Sequence, residues 1–398
     1  MLRTAFATAL KTHARAVPRT AALAAPRRAM SSSSAAAEAD SVTFEFESNT
    51  FEGYNIDTPA ASVTLSKADA VALYRDMQTV RRLEMAADSS YKHKLIRGFC
   101  HLCTGQEAVP VGVESALTAE DAVITAYRCH GFTYMRGGSP VGILAELMGR
   151  RDGVSKGKGG SMHMYAPNFY GGNGIVGAQV PLGAGVAFAQ QYRAKKACTV
   201  ALYGDGAANQ GQVFEAFNMA KLWDLPVLFV CENNKYGMGT AASRAAANTD
   251  YFTRGQYIPG IRVNGMDVLA VRQAIAYARQ YAVDGNGPLV LEMKTYRYGG
   301  HSMSDPGTTY RTREEVQHMR STSDPITGYK LRLIETGAAS EADLKAIDKE
   351  AKRVIDDALA KAKAIPEPDG KELWDDVYVK GSGVPYLRGR VPEETHHY

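Results

Sequence analysis

The sequence predicts an α/β protein with a central parallel sheet and helices on both faces. Three observations carry that prediction. From residue 67 onward, short runs rich in Val, Ile and Leu alternate with stretches of helical period, which is the signature of βαβ units. Four of these runs lead into unusual polar residues: Ala122–Ala126 into Tyr127-Arg128, Thr199–Tyr203 into Gly204-Asp205-Gly206, Val227–Cys231 into Glu232-Asn233-Asn234, and Leu289–Met293 toward Tyr296-Arg297-Tyr298. If the runs are parallel strands, all of these residues gather at carboxyl ends, where open α/β sheets bind ligands. Finally, 398 residues with 45% hydrophobic and 22% charged content suffice for a large core and exclude a disordered or fibrous chain. No apolar stretch reaches the ~18 residues that a membrane-spanning helix needs.

Taken in chain order, the first 37 residues hold Arg3, Lys11, Arg15, Arg19, Arg27 and Arg28 and no acidic residue. With those six of the 46 basic residues set aside, 40 stand against 42 acidic ones, so the body has no basic excess to suggest nucleic-acid binding. An Arg-, Ser- and Ala-rich start of this kind, closing near Met30, reads as a mitochondrial or chloroplast transit peptide over about residues 1–30, with the mitochondrial matrix the expected destination. Residues 31–66 show little period and are expected to form an arm over the body. Residues 67–398 are expected to form one domain with a helical C-terminal region.

Within that domain, Val71, Leu73, Met77, Val80, Leu83 and Met85 recur at helical spacing and predict a long helix over Lys67–Lys92. A second helix, about Gln212 to Trp223, is the crossover that makes its flanking strands parallel neighbours. Ser340-x-x-Asp343 predicts a capping box that opens a charged helix running to about Ala364.

Several motifs invite over-reading. Gly172-Asn-Gly174-Ile-Val-Gly177 has the letters of a dinucleotide fingerprint, but it follows Tyr-Ala-Pro-Asn-Phe-Tyr and lacks the acidic residue that would hold a ribose. Gly157-Lys158-Gly159-Gly160-Ser161 resembles a phosphate loop only faintly, and it is expected to let backbone approach something closely. Cys100-His-Leu-Cys103 has zinc or redox spacing without a second pair, and five cysteines make an unlikely disulfide framework. His130 and His163, whose sequence neighbours offer no charge partner, are expected to be structural.

Gly204-Asp205-Gly206 followed by Asn233-Asn234 is a stronger signal. Magnesium takes near-octahedral oxygen ligands and is held by few protein groups together with phosphates. The Asp205 carboxylate, the Asn234 amide oxygen and the carbonyl at Tyr236 could supply three ligands, leaving places for two diphosphate oxygens and a water.

These residues also carry a family resemblance. Phe99-Cys-His-Leu-Cys103 leading to Gly105-Gln-Glu107, Gly171–Pro181, Cys231-Glu-Asn-Asn-Lys-Tyr-Gly-Met-Gly239 and Gly300-His-Ser-Met-Ser-Asp-Pro-Gly307 together resemble the alpha subunits of the thiamine-diphosphate-dependent 2-oxo acid dehydrogenases, over about residues 42–390. The resemblance implies a thiamine-diphosphate-binding fold, with thiamine diphosphate and magnesium as cofactors. It implies Asp205, Asn234 and Tyr236 as metal ligands. Tyr127, Arg128, Gly174, Val176, Gly206, Ala207 and His301 would contact the cofactor, and His101 and His301 would line the catalytic channel.

The resemblance further implies oxidative decarboxylation of pyruvate with transfer of the two-carbon unit to a lipoyl group; a branched-chain 2-oxo acid, acetoin, or a non-catalytic scaffold role are the alternatives. The implied partners are a beta subunit in a two-alpha, two-beta assembly, a lipoyl acetyltransferase core, and a kinase and phosphatase acting at Ser302. The glutamate that would activate the aminopyrimidine has no counterpart here and would come from the beta subunit. At the family's accessory phosphorylation positions stand Thr309 and Ala241, with Ser243 close by, and Gly299 replaces a common histidine.

Overall fold

We describe a computed structural model of the chain over residues 40–379 and 381–397; the expected transit segment lies outside the described residues. Thirteen strands are described: β1 (Ser41–Glu45), β2 (Phe51–Tyr54), β3 (Ser62–Ser66), β4 (Ala122–Ala126), β5 (Phe169–Asn173), β6 (Thr199–Gly204), β7 (Val227–Asn233), β8 (Tyr236–Gly237), β9 (Thr240–Ala241), β10 (Gly260–Asn264), β11 (Leu289–Lys294), β12 (Tyr386–Arg388) and β13 (Thr395–His397). Seven of them form the main sheet in the order β2-β10-β11-β7-β6-β4-β5. Every pair is parallel except β2 with β10, which is antiparallel. The four runs expected to be strands are β4, β6, β7 and β11.

Alternation of side chains explains how the sheet is buried on both faces. On β6, Val200 and Leu202 join one core, shared with helices 67–92, 108–116, 140–147, 268–281 and 341–364; Ala201 and Tyr203 face a second core against helices 179–192 and 211–222. On β7, Leu228 and Val230 divide from Phe229 and Cys231 in the same way. The chain leaves β4 toward β5 on one side and returns to β6 on the other, so the strand order reverses between β4 and β6. A crevice opens at such a point beyond the carboxyl ends.

The helix over Lys67–Lys92 forms as expected, with the Ser66 hydroxyl accepting the Asp69 N–H at its start. Of the expected apolar stripe Leu73, Met77, Val80 and Leu83 are buried, whereas Met85 is exposed, and Tyr74, Glu84 and Ala87 add to the buried face. The helix over Glu341–Ala364 opens with the expected capping box. The crossover helix covers Gly211–Leu222.

Two segments differ from expectation. The arm holds three strands. In β1 and β3, Val42, Phe44, Val63 and Leu65 point inward and pack on the start of the 67–92 helix, while β2 adds an edge to the main sheet. The Gly172 segment does follow a strand: β5 ends at Asn173, and the chain then enters the 179–192 helix. Glycine is required there because a Cβ on Gly172 would lie 2.3 Å from the Met162 carbonyl oxygen and 2.8 Å from the Cys129 sulfur. The loop at Gly157–Gly160 closes on protein rather than phosphate. The buried Glu146 carboxylate accepts the N–H groups of Ser155 (2.8 Å), Gly157 (2.8 Å), Gly159 (2.7 Å) and Gly160 (3.0 Å).

All five cysteines are buried thiols. No described helix is long and apolar enough to cross a membrane.

Candidate active site

Beyond the ends of β4, β6 and β7 lies a cavity of ≈ 230 Å³ lined by Tyr127, Arg128, Val176, Asp205, Gly206, Ala207, Asn234, Tyr236 and His301. An outer funnel of ≈ 610 Å³ shares Tyr127, Val176 and His301 with it and adds His101, Gly174 and Ser302. Every site residue expected from the sequence therefore faces one of two adjoining spaces. Most arrive by the same local logic, in which a buried strand ends and the next one to three residues turn outward over the crevice, whereas His101, His301 and Ser302 come on longer loops. Gly206 and Gly237 allow two of these turns to touch, since a Cβ on either would lie within 3.3 Å of the other's Cα.

At the inner end sits a cluster of oxygen atoms. The Asp205 carboxyl is buried, and burial pushes its pKa up to about 6 against the opposing pull of its own backbone N–H and of Arg297. The Asn234 amide is fixed by donating to Gln106 Oε1 at 3.0 Å, which turns its oxygen toward Arg297 Nη1 at 3.2 Å. The same nitrogen donates to the Tyr236 carbonyl at 3.3 Å. A guanidinium is thus already drawn to two of the three oxygens expected to ligate a metal, so the donor set suits a cation. Gln179 Oε1 is a buried acceptor without a protein partner, and Gln179 also lines this cavity. Glu232, buried beside the cluster, has its carboxyl raised to about 7 by burial, with Arg128 pulling the other way.

At the outer end, Tyr127, His101 and His301 pack as a triangle with ring centroids 4.4, 5.2 and 5.4 Å apart. Burial, reinforced by the Arg128 cation, lowers His101 to about 3 and His301 to about 4, so both rings are neutral at physiological pH. The Nδ1 atom of each is buried without a protein partner. Arg128 spans the two halves, donating to the carbonyls of Leu102 (2.5 Å) and His301 (3.0 Å).

The loop that carries His301 and Ser302 is organised by Asp305. That carboxylate accepts the N–H groups of His301 (2.6 Å) and Gly307 (2.8 Å) and the Tyr310 hydroxyl (2.6 Å). Asp305 is the one carboxylate among the described residues lining the funnel. Ser302 is buried, with its Oγ 2.9 Å from Ser304 Oγ.

Sequence reasoning missed Gln106, Gln179, Glu232 and the central place of Arg297. Gln106 and Glu232 lie inside quoted motifs, but only tertiary packing aims them at the cavity. The view that His130 lacks a charge partner is corrected: Glu84, distant in sequence, holds its Nδ1 at 2.8 Å.

This fold, with its oxygen-rich crevice and paired histidines, is that of a thiamine-diphosphate-dependent enzyme, and the chain belongs to the dehydrogenase E1 component family, whose family model matches residues 75–371. Among individual proteins, the chain is 63% identical over 358 residues to the pyruvate dehydrogenase E1 component subunit alpha, mitochondrial, of Saccharomyces cerevisiae, covering 89% of this chain and 85% of that protein. It is 58% identical over 386 residues to the protein of the same name in Chaetomium thermophilum, covering 94% of each. The Solanum tuberosum protein of that name is 57% identical over 369 residues, covering 92% of this chain and 93% of that one.

Proposed function

We propose that this chain is the alpha half of a mitochondrial, two-chain dehydrogenase that decarboxylates pyruvate and hands the two-carbon unit to a lipoyl group. The observation that carries the reading is the crevice at the strand-order reversal, where a metal-type oxygen cluster adjoins a funnel lined by two neutral histidines. The identity to relatives named for pyruvate supports that substrate over a branched-chain 2-oxo acid or acetoin.

Asp205, the Asn234 amide oxygen and the Tyr236 carbonyl hold magnesium. Tyr127, Arg128 and the backbone at Gly206 and Ala207 hold the diphosphate, as suits a fork-shaped cation and a turn that opens a short helix. Gly174 and Val176 bound the far end of the cofactor. Thiamine diphosphate supplies, when bound, the electron sink that decarboxylation of a 2-oxo acid requires. The chain's own work is binding, orientation and proton placement. Neutral His101 and His301 present ring nitrogens that can accept or donate a proton as charge develops, a service worth about 10²–10⁴ in rate.

Asp305, the single carboxylate of the described funnel lining, is fully engaged within its loop, so the carboxylate that serves the cofactor's pyrimidine comes from a beta subunit. Exposed Phe188 and Tyr192 on the 179–192 helix, with Leu222 at the end of the 211–222 helix and Trp223 just after it, form an apolar face suited to that partner. Ser302 is the regulatory hydroxyl for a kinase and phosphatase, and the assembly delivers the two-carbon unit to a lipoyl acetyltransferase core. A phosphoryl group there would replace the Ser302–Ser304 contact in the His301 loop and add about −1.5 to −2 charge beside an anionic substrate path.

Residues 31–398 co-expressed with a cognate beta subunit should decarboxylate pyruvate when given thiamine diphosphate and magnesium, and Asp205→Ala should abolish the activity. A folded, cofactor-loaded tetramer without turnover on pyruvate would overturn the reading.

A further inference from the structure

Beneath the His101 segment lies a buried polar chain that takes no part in the site described above. Glu84 on the 67–92 helix, His130 at the head of the 130–135 helix and Ser161 in the Gly-rich loop are at most 5% exposed. His130 Nδ1 lies 2.8 Å from Glu84 Oε2, and His130 Nε2 lies 2.9 Å from Ser161 Oγ. A carboxylate only accepts, and the His130 imidazole and the Cys103 N–H both hold Glu84 in the ionised form. Nδ1 therefore donates to Glu84, and the other ring nitrogen meets the Ser161 hydroxyl. Ser161 Oγ in turn accepts the backbone N–H of His101 at 3.2 Å, and Glu84 Oε1 accepts that of Cys103 at 2.8 Å.

Both ends of the 101–103 turn are thus tied to one chain of hydrogen bonds, and Arg128 holds the carbonyl between them. The groups are those of a hydrolytic triad, but Ser161 lines none of the described cavities and spends its lone pair on a main-chain N–H. The arrangement aims a backbone rather than a nucleophile.

We propose that Glu84, His130 and Ser161 form a positioning relay that holds the His101 ring against Tyr127 and His301. It acts on the reaction without touching substrate or cofactor. The proposal rests on reading His101 as a residue of the reaction funnel. Displacement of a reacting group by about 1 Å can cost as much as 10²-fold in rate, so loss of one tie has a kinetic effect. Asp205 hangs from the end of β6 and Asn234 from the end of β7, and Asn234 reaches the 101–103 turn only through Gln106, whose N–H bonds the Cys103 carbonyl.

The test is a double-mutant cycle in the assembled alpha–beta tetramer with Ser161→Ala, His101→Ala, the pair, and Ser161→Thr. Ser161→Ala is expected to lower kcat for pyruvate about tenfold while the Kd for thiamine diphosphate stays within about threefold, with Ser161→Thr restoring most of the loss. In the His101→Ala background, Ser161→Ala should cost nothing further. Additive losses, a fall in cofactor affinity that accounts for the lost rate, or full turnover by His101→Ala would each overturn the relay. If Ser161→Ala fails to assemble, Glu84→Gln is run through the same cycle with the same criteria. Hydrogen exchange gives a readout independent of substrate: amides 101 and 103 should lose protection in Ser161→Ala while 205–209 and 232–236 keep theirs, and the reverse pattern would also overturn the proposal. Wild-type inactivity on every 2-oxo acid would remove the assigned reaction and leave the relay to be decided by that exchange pattern.

Discussion

Asp205 carries a cost in the metal-free fold. Its folded pKa of about 6 exceeds the ordinary 3.8, so the folded chain binds a proton more readily than the unfolded one between those values. Stability contributed at this site is therefore present at low pH and lost as pH rises through about 6, a penalty on the order of 1–3 kcal/mol at neutral pH. On the proposal that Asp205 ligates magnesium, metal binding reverses the sign, because only the carboxylate ligates. Magnesium affinity, followed by titration calorimetry in the presence of thiamine diphosphate, should weaken by up to about tenfold per pH unit below 6. Asp205→Asn should flatten that profile and melt no lower than wild type without cofactor, yet lose the rise in Tm that magnesium and thiamine diphosphate give. A steep profile surviving in Asp205→Asn would assign the titration elsewhere.

Asp205 and Asn234 were legible in sequence because a strand end places its following residues without help from distant chain. Arg297, Gln106 and the Glu84–His130 pair were not. Their partners lie many residues away, and no local period encodes which distant oxygen a side chain will meet.

Among the elements, the 155–160 loop depends on a single side chain. Glu146 receives four main-chain N–H groups, and an unsatisfied buried donor costs about 1–3 kcal/mol each, though water and relaxation recover part of the sum. Glu146→Ala should destabilise the protein by about 3 kcal/mol or more in denaturant unfolding, and Glu146→Gln by roughly half as much, since an amide retains one accepting oxygen. Exchange of the 155–160 amides should rise in step, and unchanged protection would show that the loop holds its shape without the carboxylate.

Strong periods made most elements readable. β4, β6, β7 and β11 are continuous apolar runs, and the long helices repeat at 3.6 residues. β1 and β3 escaped notice because five residues of alternation between Ser, Thr and Glu give a short signal. β5 was unreadable for a different reason: its glycines have poor strand propensity and are there because neighbouring atoms leave no room for a Cβ. Met85 was placed on the wrong face because helical spacing fixes a stripe only to within a residue or so over 26 residues.

At the scale of the whole molecule, the faces of the 179–192 and 211–222 helices leave apolar side chains in solvent, with Tyr192 84% and Leu222 70% exposed. Phe188 packs with Tyr192 and Trp223 into an aromatic patch at centroid distances of 6.3 and 5.7 Å. Tyr192→Asp with Leu222→Asp should leave the fold intact by circular dichroism and block recovery of the complex with a beta subunit in size-exclusion chromatography. Normal assembly of that variant would place the beta subunit on another face.

The antiparallel edge strand β2 has a consequence in time. Residues 51–54 leave the ribosome early, and would cross an organelle membrane early, yet the strand they join spans residues 260–264 and is itself completed only by β11 at residues 289–294. Local pairs such as β6 with β7 can zip first, whereas closing this border requires nearly the whole chain to be present, which is the slow kind of contact to make. Until then this early strand has an unpaired backbone and waits long for its place, although β1 beside it can pair at once with β3. The beginning of the body is thus among the last parts of the sheet to be finished, and a chaperone holding the newly arrived chain would have its longest engagement there.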